Sequence, residues 1–352
     1  EGQIDEALGV LRLAARPVIW AGGGVLRSGD THELTTVAET LGAPVITTFM
    51  GKSAFPEDHP LAVGMMVRQP EAADLIREAD VMLAVGTRFT GMATGNWQLK
   101  MPAQLVHLDL DSEVIGRNYP ARCEIVADAR EGLRALAAGL EGRQPAQERW
   151  RARAAEVRRA CIERARREGP REMAILDAIR AALDPSIVTV HDMTIPSYWS
   201  WPFFPVTEAG TFHSPYGYGS LGFSVPASIG VAASDPGRPV VAFSGDGGFQ
   251  YHGRELATIA QYSLPVTVIV FNDQSWGVLR AFSRARYAHE FGMDIPAPDF
   301  PALAAAYGVP SARVTEPEDL EKALREAVGS SGPYLIEVPG PWSLPPPAGY
   351  YR

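Results

Sequence analysis

The chain has 352 residues, a length suited to two domains of about 150 residues each rather than to one core. Hydrophobic residues make up 46% and charged residues 21%, the balance of a globular protein and not of a disordered or fibrous one. The net charge of −9 argues against a nucleic-acid binder, no apolar run reaches the ~18 residues of a membrane span, and no signal peptide is visible.

From Pro17 the pattern is strand, turn, helix, repeated. Residues 17–21 form an apolar run ending in Gly22-Gly23-Gly24, and a helical stretch follows at about 31–41. Segments 44–48, 80–86 and 105–109 read as further strands, and a helix from Arg130 closes the block near Gly139. Continuous apolar strands alternating with helices predict a parallel sheet covered on both faces. The three glycines could cradle a phosphate, but Arg27 breaks the Gly-x-Gly-x-x-Gly spacing and the next strand ends in Thr47-Thr48, with no acid for a ribose hydroxyl. A tight strand-to-helix turn is the alternative.

Residues 144–167 are rich in Arg, Glu and Ala, with few large apolar residues and no Gly or Pro beyond Pro145, and read as a solvated connecting helix. A second α/β block follows, with strands expected at 187–190, 240–243, 266–271 and 334–338. The expected fold class is therefore α/β, two doubly wound parallel-sheet domains joined by a helical linker. The boundaries are 1–141, 142–170 and 171–340, with 341–352 as a tail. Cys123 and Cys161 are too few for a disulfide framework and match no metal-ligand spacing, which points to a reducing cytoplasm.

Two polar clusters sit where apolar strands of the second block stop: Ser244-Gly245-Asp246-Gly247-Gly248 and Asn272-Asp273-Gln274-Ser275-Trp276-Gly277. Ligand crevices of open parallel sheets lie at the carboxyl ends of the strands. Glycines flanking Asp246 permit a sharp turn and let backbone N–H groups approach an anion, and a helix after His252 would aim its positive end at the same place. Two carboxylates beside anion-binding amides balance when a divalent cation bridges them to a diphosphate. A plain turn, with Asp273 as a cap, is the structural alternative.

Gly245-Asp246-Gly247, then 24 residues (248–271), then Asn272-Asp273 resembles the thiamine diphosphate motif. The stretches YGYGSLGFSVPASIG at 216–230 and RELATIA at 254–260 are similar to the same enzymes, especially the acetolactate synthase group. So are PVITTFMGKSAFPEDHPLAVGM at 44–65 and LVHLDLDSEVIGRNYP at 105–120, which resemble their central domain. The resemblance implies Mg²⁺ on the Asp246 and Asp273 side chains and the Ser275 carbonyl, and a diphosphate on the backbones of Gly245, Gly247 and Gly248. It implies that Leu221 props thiamine diphosphate in its bent form, with the Gly219 carbonyl accepting from the 4′-amino group. The carbanion formed at C2 then attacks a 2-oxo acid, carbon dioxide leaves, and the cofactor ring accepts the electrons. Val278, Leu279 and Phe282 match residues that face the substrate.

Three departures qualify what is carried over. The family's activating Glu belongs to an amino-terminal pyrimidine-binding domain. No Glu of this chain, which opens at Glu1 without a Met, takes that role. The catalytic acid–base is thus left unassigned, and the chain is expected to be a fragment or one subunit of a split enzyme. Phe89-Thr90-Gly91-Met92 stands for Phe-Asp-Asp-Arg, and Val67-Arg68-Gln69-Pro70 for Gly-Met-His-Gly, which makes FAD and acetolactate synthesis proper doubtful. Ile195-Pro196 replaces a Gln-His pair near the diphosphate, so backbone atoms such as those of Thr194 would take its place.

The expected function is thiamine diphosphate- and Mg²⁺-dependent decarboxylation of a 2-oxo acid, with or without carboligation. The alternatives are acetolactate synthase proper and, from another class, a nucleotide-binding or non-catalytic scaffold module. Expected partners are the 2-oxo acid, the amino-terminal domain, and further copies in a homodimer or homotetramer, with no nucleic acid and no membrane. Asp192, beside His191, is read either as an acid–base partner of the cofactor or as a strand-end cap.

Overall fold

A computed structural model describes residues 2–29, 31–287 and 289–346. The chain divides into two compact units. The first runs through Arg164 and takes in Pro205–Gly210; the second comprises Ala165–Phe204 and the chain from Thr211 onward.

The first unit is built on β1 (Pro17–Ala21), β2 (Val45–Thr47), β3 (Ala62–Gly64), β4 (Val81–Val85), β5 (Gln104–Asp109) and β6 (Cys123–Val126). They pair in parallel in the order β3-β2-β1-β4-β5-β6. Every residue of β1 and β4 is buried, which is why these strands read as unbroken apolar runs. The helices His32–Leu41 and Ala129–Gly139 pack their apolar sides into one core with the sheet. Gly22 and Gly24 have a packing reason: a Cβ on them would lie 2.1 Å from the Gly86 oxygen and 2.6 Å from the Gly86 Cα. The triple glycine thus lets the turn after β1 close onto the turn after β4.

The stretch expected as a solvated linker contains helices Glu148–Arg151 and Arg153–Glu168. Trp150, Ala154, Val157 and Cys161 are buried at helical spacing, and the Trp150 indole donates to the Pro17 carbonyl at 2.8 Å. The buried stripe is made mostly of small residues, so it left no strong apolar period in the sequence.

The second unit carries β7 (Val188–His191), β8 (Phe212–His213), β9 (Val240–Gly245), β10 (Val266–Asn272), β11 (Ser311–Arg313) and β12 (Tyr334–Pro339). Their parallel order is β11-β12-β10-β9-β7-β8. From β7 the chain crosses to β8 on one side, and from β9 it crosses to β10 on the other. The loops after the adjacent strands β7 and β9 therefore diverge, and a topological switch point lies between them. Trp342 anchors the start of the expected tail, with its ring 5.5 Å from Phe271 and under the Arg171 guanidinium. Residues 347–352 of that tail lie outside the described residues. Among the described residues, no helix is long and apolar enough to cross a membrane.

Candidate active site

At the switch point the second unit opens a cavity of about 220 Å³. The loop after β7 contributes Met193, Thr194 and Ile195, and the turn after β9 contributes Gly245 through Gly248. Asp273, Ser275 and Trp276 enter from the loop after β10, Gly219 and Leu221 from the segment after β8. Val278, Leu279 and Phe282 complete the wall from helix Gly277–Tyr287. Every site residue expected from the sequence thus lines one cavity.

Three observations define its floor. Asp246 is buried and opens helix Asp246–His252, so the helix begins at the motif itself and not after His252. Its carboxylate accepts from the Gly247 N–H at 2.8 Å and from the Ser275 N–H at 3.2 Å, which ties the two motif halves together. The glycines leave room that no other residue would. A Cβ on Gly247 would lie 2.5 Å from the Trp276 ring, on Gly248 it would lie 3.1 Å from Asp192 Oδ2, and on Gly245 it would lie 3.0 Å from Thr194 Oγ1.

Both carboxyl groups of the floor are raised above the usual carboxylate range. Burial pushes the Asp246 carboxyl up to about 6, and the neighbouring Asp273 charge adds to the rise. Burial also raises Asp273, against hydrogen bonds from Ser275 and the Arg280 charge. Among the described residues, no three His, Cys, Asp or Glu side chains gather into a metal site. A cation here would take the two carboxylates plus main-chain and ligand oxygens, the donor set that Mg²⁺ favours with phosphates.

Of the other residues near these strand ends, His191, Asp192 and Trp199 do not line the cavity. His191 is enclosed between Phe212 and Phe243, with ring centroids at 4.1 and 4.0 Å, and its Nδ1 is 3.0 Å from the Ser200 hydroxyl; it does not line the cavity. Asp192 is buried and accepts from the Met193 N–H at 2.7 Å, and burial raises its carboxyl to about 6 against the amides of Met193, Ser224 and Gly222. That is the work of a cap joining the β7 end to the 219–224 segment. Trp199 is buried, with its indole donating to the Ser343 carbonyl, whereas Trp276 does line the cavity. Arg280 and Arg284 pair with Glu290 at 3.3 and 2.7 Å. Met193, Ile195, Tyr198 and Gly277 line the cavity without having been singled out as pocket residues; the strand-end position of 193–195 was the available signal.

Comparison with known proteins agrees with this layout. Residues 4–136 match the thiamine pyrophosphate enzyme central domain, and residues 192–338 match the thiamine pyrophosphate enzyme C-terminal TPP binding domain. A probable acetolactate synthase large subunit of Methanocaldococcus jannaschii is 36% identical, covering 96% of this chain and 59% of that protein. A probable 2-ketoarginine decarboxylase, AruI, of Pseudomonas aeruginosa is 34% identical over 93% of this chain and 58% of its own. Acetolactate synthase isozyme 3 large subunit of Escherichia coli is 31% identical over 93% of this chain and 59% of its own. The chain thus spans about three-fifths of the length of these relatives. With both of its compact units matched, the chain belongs to the thiamine pyrophosphate enzymes, of which it carries the central and the cofactor-binding domains.

Proposed function

We propose that the protein decarboxylates a 2-oxo acid with thiamine diphosphate and Mg²⁺. Support comes from one convergence: Asp246, Asp273 and Ser275, the glycine backbone of 245–248, Gly219 and Leu221 all face a single cavity at the switch point. Asp246, Asp273 and the Ser275 carbonyl would hold the cation, the amides of Gly247 and Gly248 and the backbone at Thr194 would meet the diphosphate, and Leu221 would prop the bent cofactor. When bound, thiamine diphosphate supplies a nucleophilic carbon and an electron sink for loss of carbon dioxide. The protein's part is to orient, to exclude water and to balance charge. Met193, Ile195, Leu221 and Phe282 wall the cavity with apolar groups.

In this reading, 1–141 serves as the central domain, 142–170 as the connecting segment and 171–340 as the cofactor domain. The partners are a pyrimidine-binding domain, encoded in the same chain or a separate one, and further copies of the protein in a homodimer or homotetramer. Thr90-Gly91-Met92 in place of Asp-Asp-Arg leaves FAD outside the proposal and favours decarboxylation over acetolactate synthesis proper.

The test is carbon dioxide release from a panel of 2-oxo acids by the complete protein. Turnover that requires both thiamine diphosphate and Mg²⁺ is expected. Turnover indifferent to either, or binding of NAD in place of thiamine diphosphate, would overturn the reading.

A further inference from the structure

Asn272 opens the second half of the motif but does not line the cavity; its side chain reaches Glu337 on β12 instead. Arg313 and Glu337 are register partners on β11 and β12. Glu337 is in turn the register partner of Val270 on β10, two residues before Asn272. Arg313, Glu337 and Asn272 therefore share one face of three adjacent strands and form a row.

The row is closed by hydrogen bonds. The Arg313 Nε donates to Glu337 Oε2 at 2.7 Å, and the Asn272 amide donates to Glu337 Oε1 at 2.7 Å. Glu337 is only 2% exposed, in a strand otherwise of Tyr, Leu, Ile, Val and Pro. A carboxylate at that depth is costly unless both oxygens are occupied, and here both are. Arg313 is half exposed and also pairs with Asp299 at 3.1 Å, so the row runs from the surface inward.

Its inner end bears on the site. Asn272 Oδ1 accepts from the Gln274 N–H at 3.1 Å. Gln274 adopts φ +53°, the left-handed region that a residue with a side chain enters only when its surroundings impose it. It stands between Asp273 and Ser275. The turn it makes brings the Ser275 N–H to Asp246 while Asp273 faces the cavity. The Asn272 carbonyl is also taken, by the Gly340 N–H at 2.6 Å, so the residue is fixed at both ends.

We propose that the Arg313–Glu337–Asn272 row is a positioning device that holds the Gln274 turn, and through it fixes Asp273 and Ser275 for cation binding. Its second half rests on the cation assignment made above; its first half, the rigidity of the turn, does not.

The experiment compares Asn272→Ala, Asn272→Asp and the pair Asn272→Asp with Glu337→Gln in the complete protein. Asp at 272 keeps the acceptor for Gln274 but sets two carboxylates against each other; Gln at 337 restores the hydrogen bond with donor and acceptor exchanged. Two quantities are read. The first is amide hydrogen exchange at Gln274 and Ser275 in protein free of cofactor. The second is the Mg²⁺ concentration that half-saturates thiamine diphosphate binding, followed by tryptophan fluorescence. Both single variants should speed exchange and raise the half-saturating Mg²⁺ by about 10–100-fold, and the double variant should recover most of both losses. A double variant no better than Asn272→Asp overturns the proposal, as does an Asn272→Ala protein with exchange like the wild type. If wild type binds no Mg²⁺, the cation assignment fails, while the exchange data still decide the positioning claim.

Discussion

Asp246→Asn should move stability and binding in opposite directions. The carboxyl of Asp246 titrates near 6 in the fold against 3.8 when unperturbed. For a carboxyl raised in the folded state, the stabilisation from its protonated form is complete below about 3.8 and is lost as pH rises through about 6. Above that point the ionised, buried group is a net cost of up to about 3 kcal/mol, the difference between about 6 and 3.8 at 1.36 kcal/mol per pH unit. An asparagine removes the charge and keeps Oδ1 for the Gly247 N–H. It gives up the hydrogen bond from the Ser275 N–H, worth about 0.5–1.5 kcal/mol. The balance is a gain of up to about 1.5–2.5 kcal/mol for metal-free protein at about pH 8, or a few degrees in Tm for a unit of this size. The same change should abolish the rise in Tm that Mg²⁺ plus thiamine diphosphate gives the wild type. Differential scanning calorimetry with and without ligands reads both effects. A variant less stable than wild type without metal, or one still stabilised by Mg²⁺ with thiamine diphosphate, would refute the charge assignment.

Three further outcomes follow from the same geometry. Protons and Mg²⁺ compete for Asp246, so the half-saturating Mg²⁺ concentration should climb as pH falls below about 6, by about tenfold per unit where one proton is displaced, in calorimetric titrations across pH. Gly247→Ala forces the Trp276 ring out of contact, an overpacking cost of about 1–3 kcal/mol, and thiamine diphosphate affinity by fluorescence titration should drop while far-UV circular dichroism stays unchanged. Phe282→Ala should raise the relative rates of bulkier 2-oxo acids, with thiamine diphosphate affinity unchanged; a methylene discriminates by only ~1–3 kcal/mol, so relative rates across a panel are the measurement.

The strands legible in the sequence are those with sheet neighbours on both sides. β1, β4, β9 and β10 are buried throughout, so nearly every residue is small or apolar and the run stood out. The four strands that were not read, β3, β6, β8 and β11, are the edges of the two sheets. They have two to four residues each, too few for a period, and β6 alternates between buried and exposed positions. The site was legible because glycine and aspartate recur where apolar runs end. The role of Asn272 was not, since it depends on Glu337, 65 residues further on, and on a neighbour from a third strand. Nothing local in the sequence marks a residue whose partners arrive through sheet order.

The central claim is that a cation held by Asp246, Asp273 and the Ser275 carbonyl anchors a diphosphate in this cavity. Crystals of the complete protein grown with thiamine diphosphate and Mn²⁺ in place of Mg²⁺ test it directly, because Mn²⁺ scatters anomalously. One anomalous peak among those three oxygens, with diphosphate density over Gly247 and Gly248, is the result the account predicts. A peak elsewhere, or diphosphate density in the cavity with no metal between the two carboxylates, would contradict it.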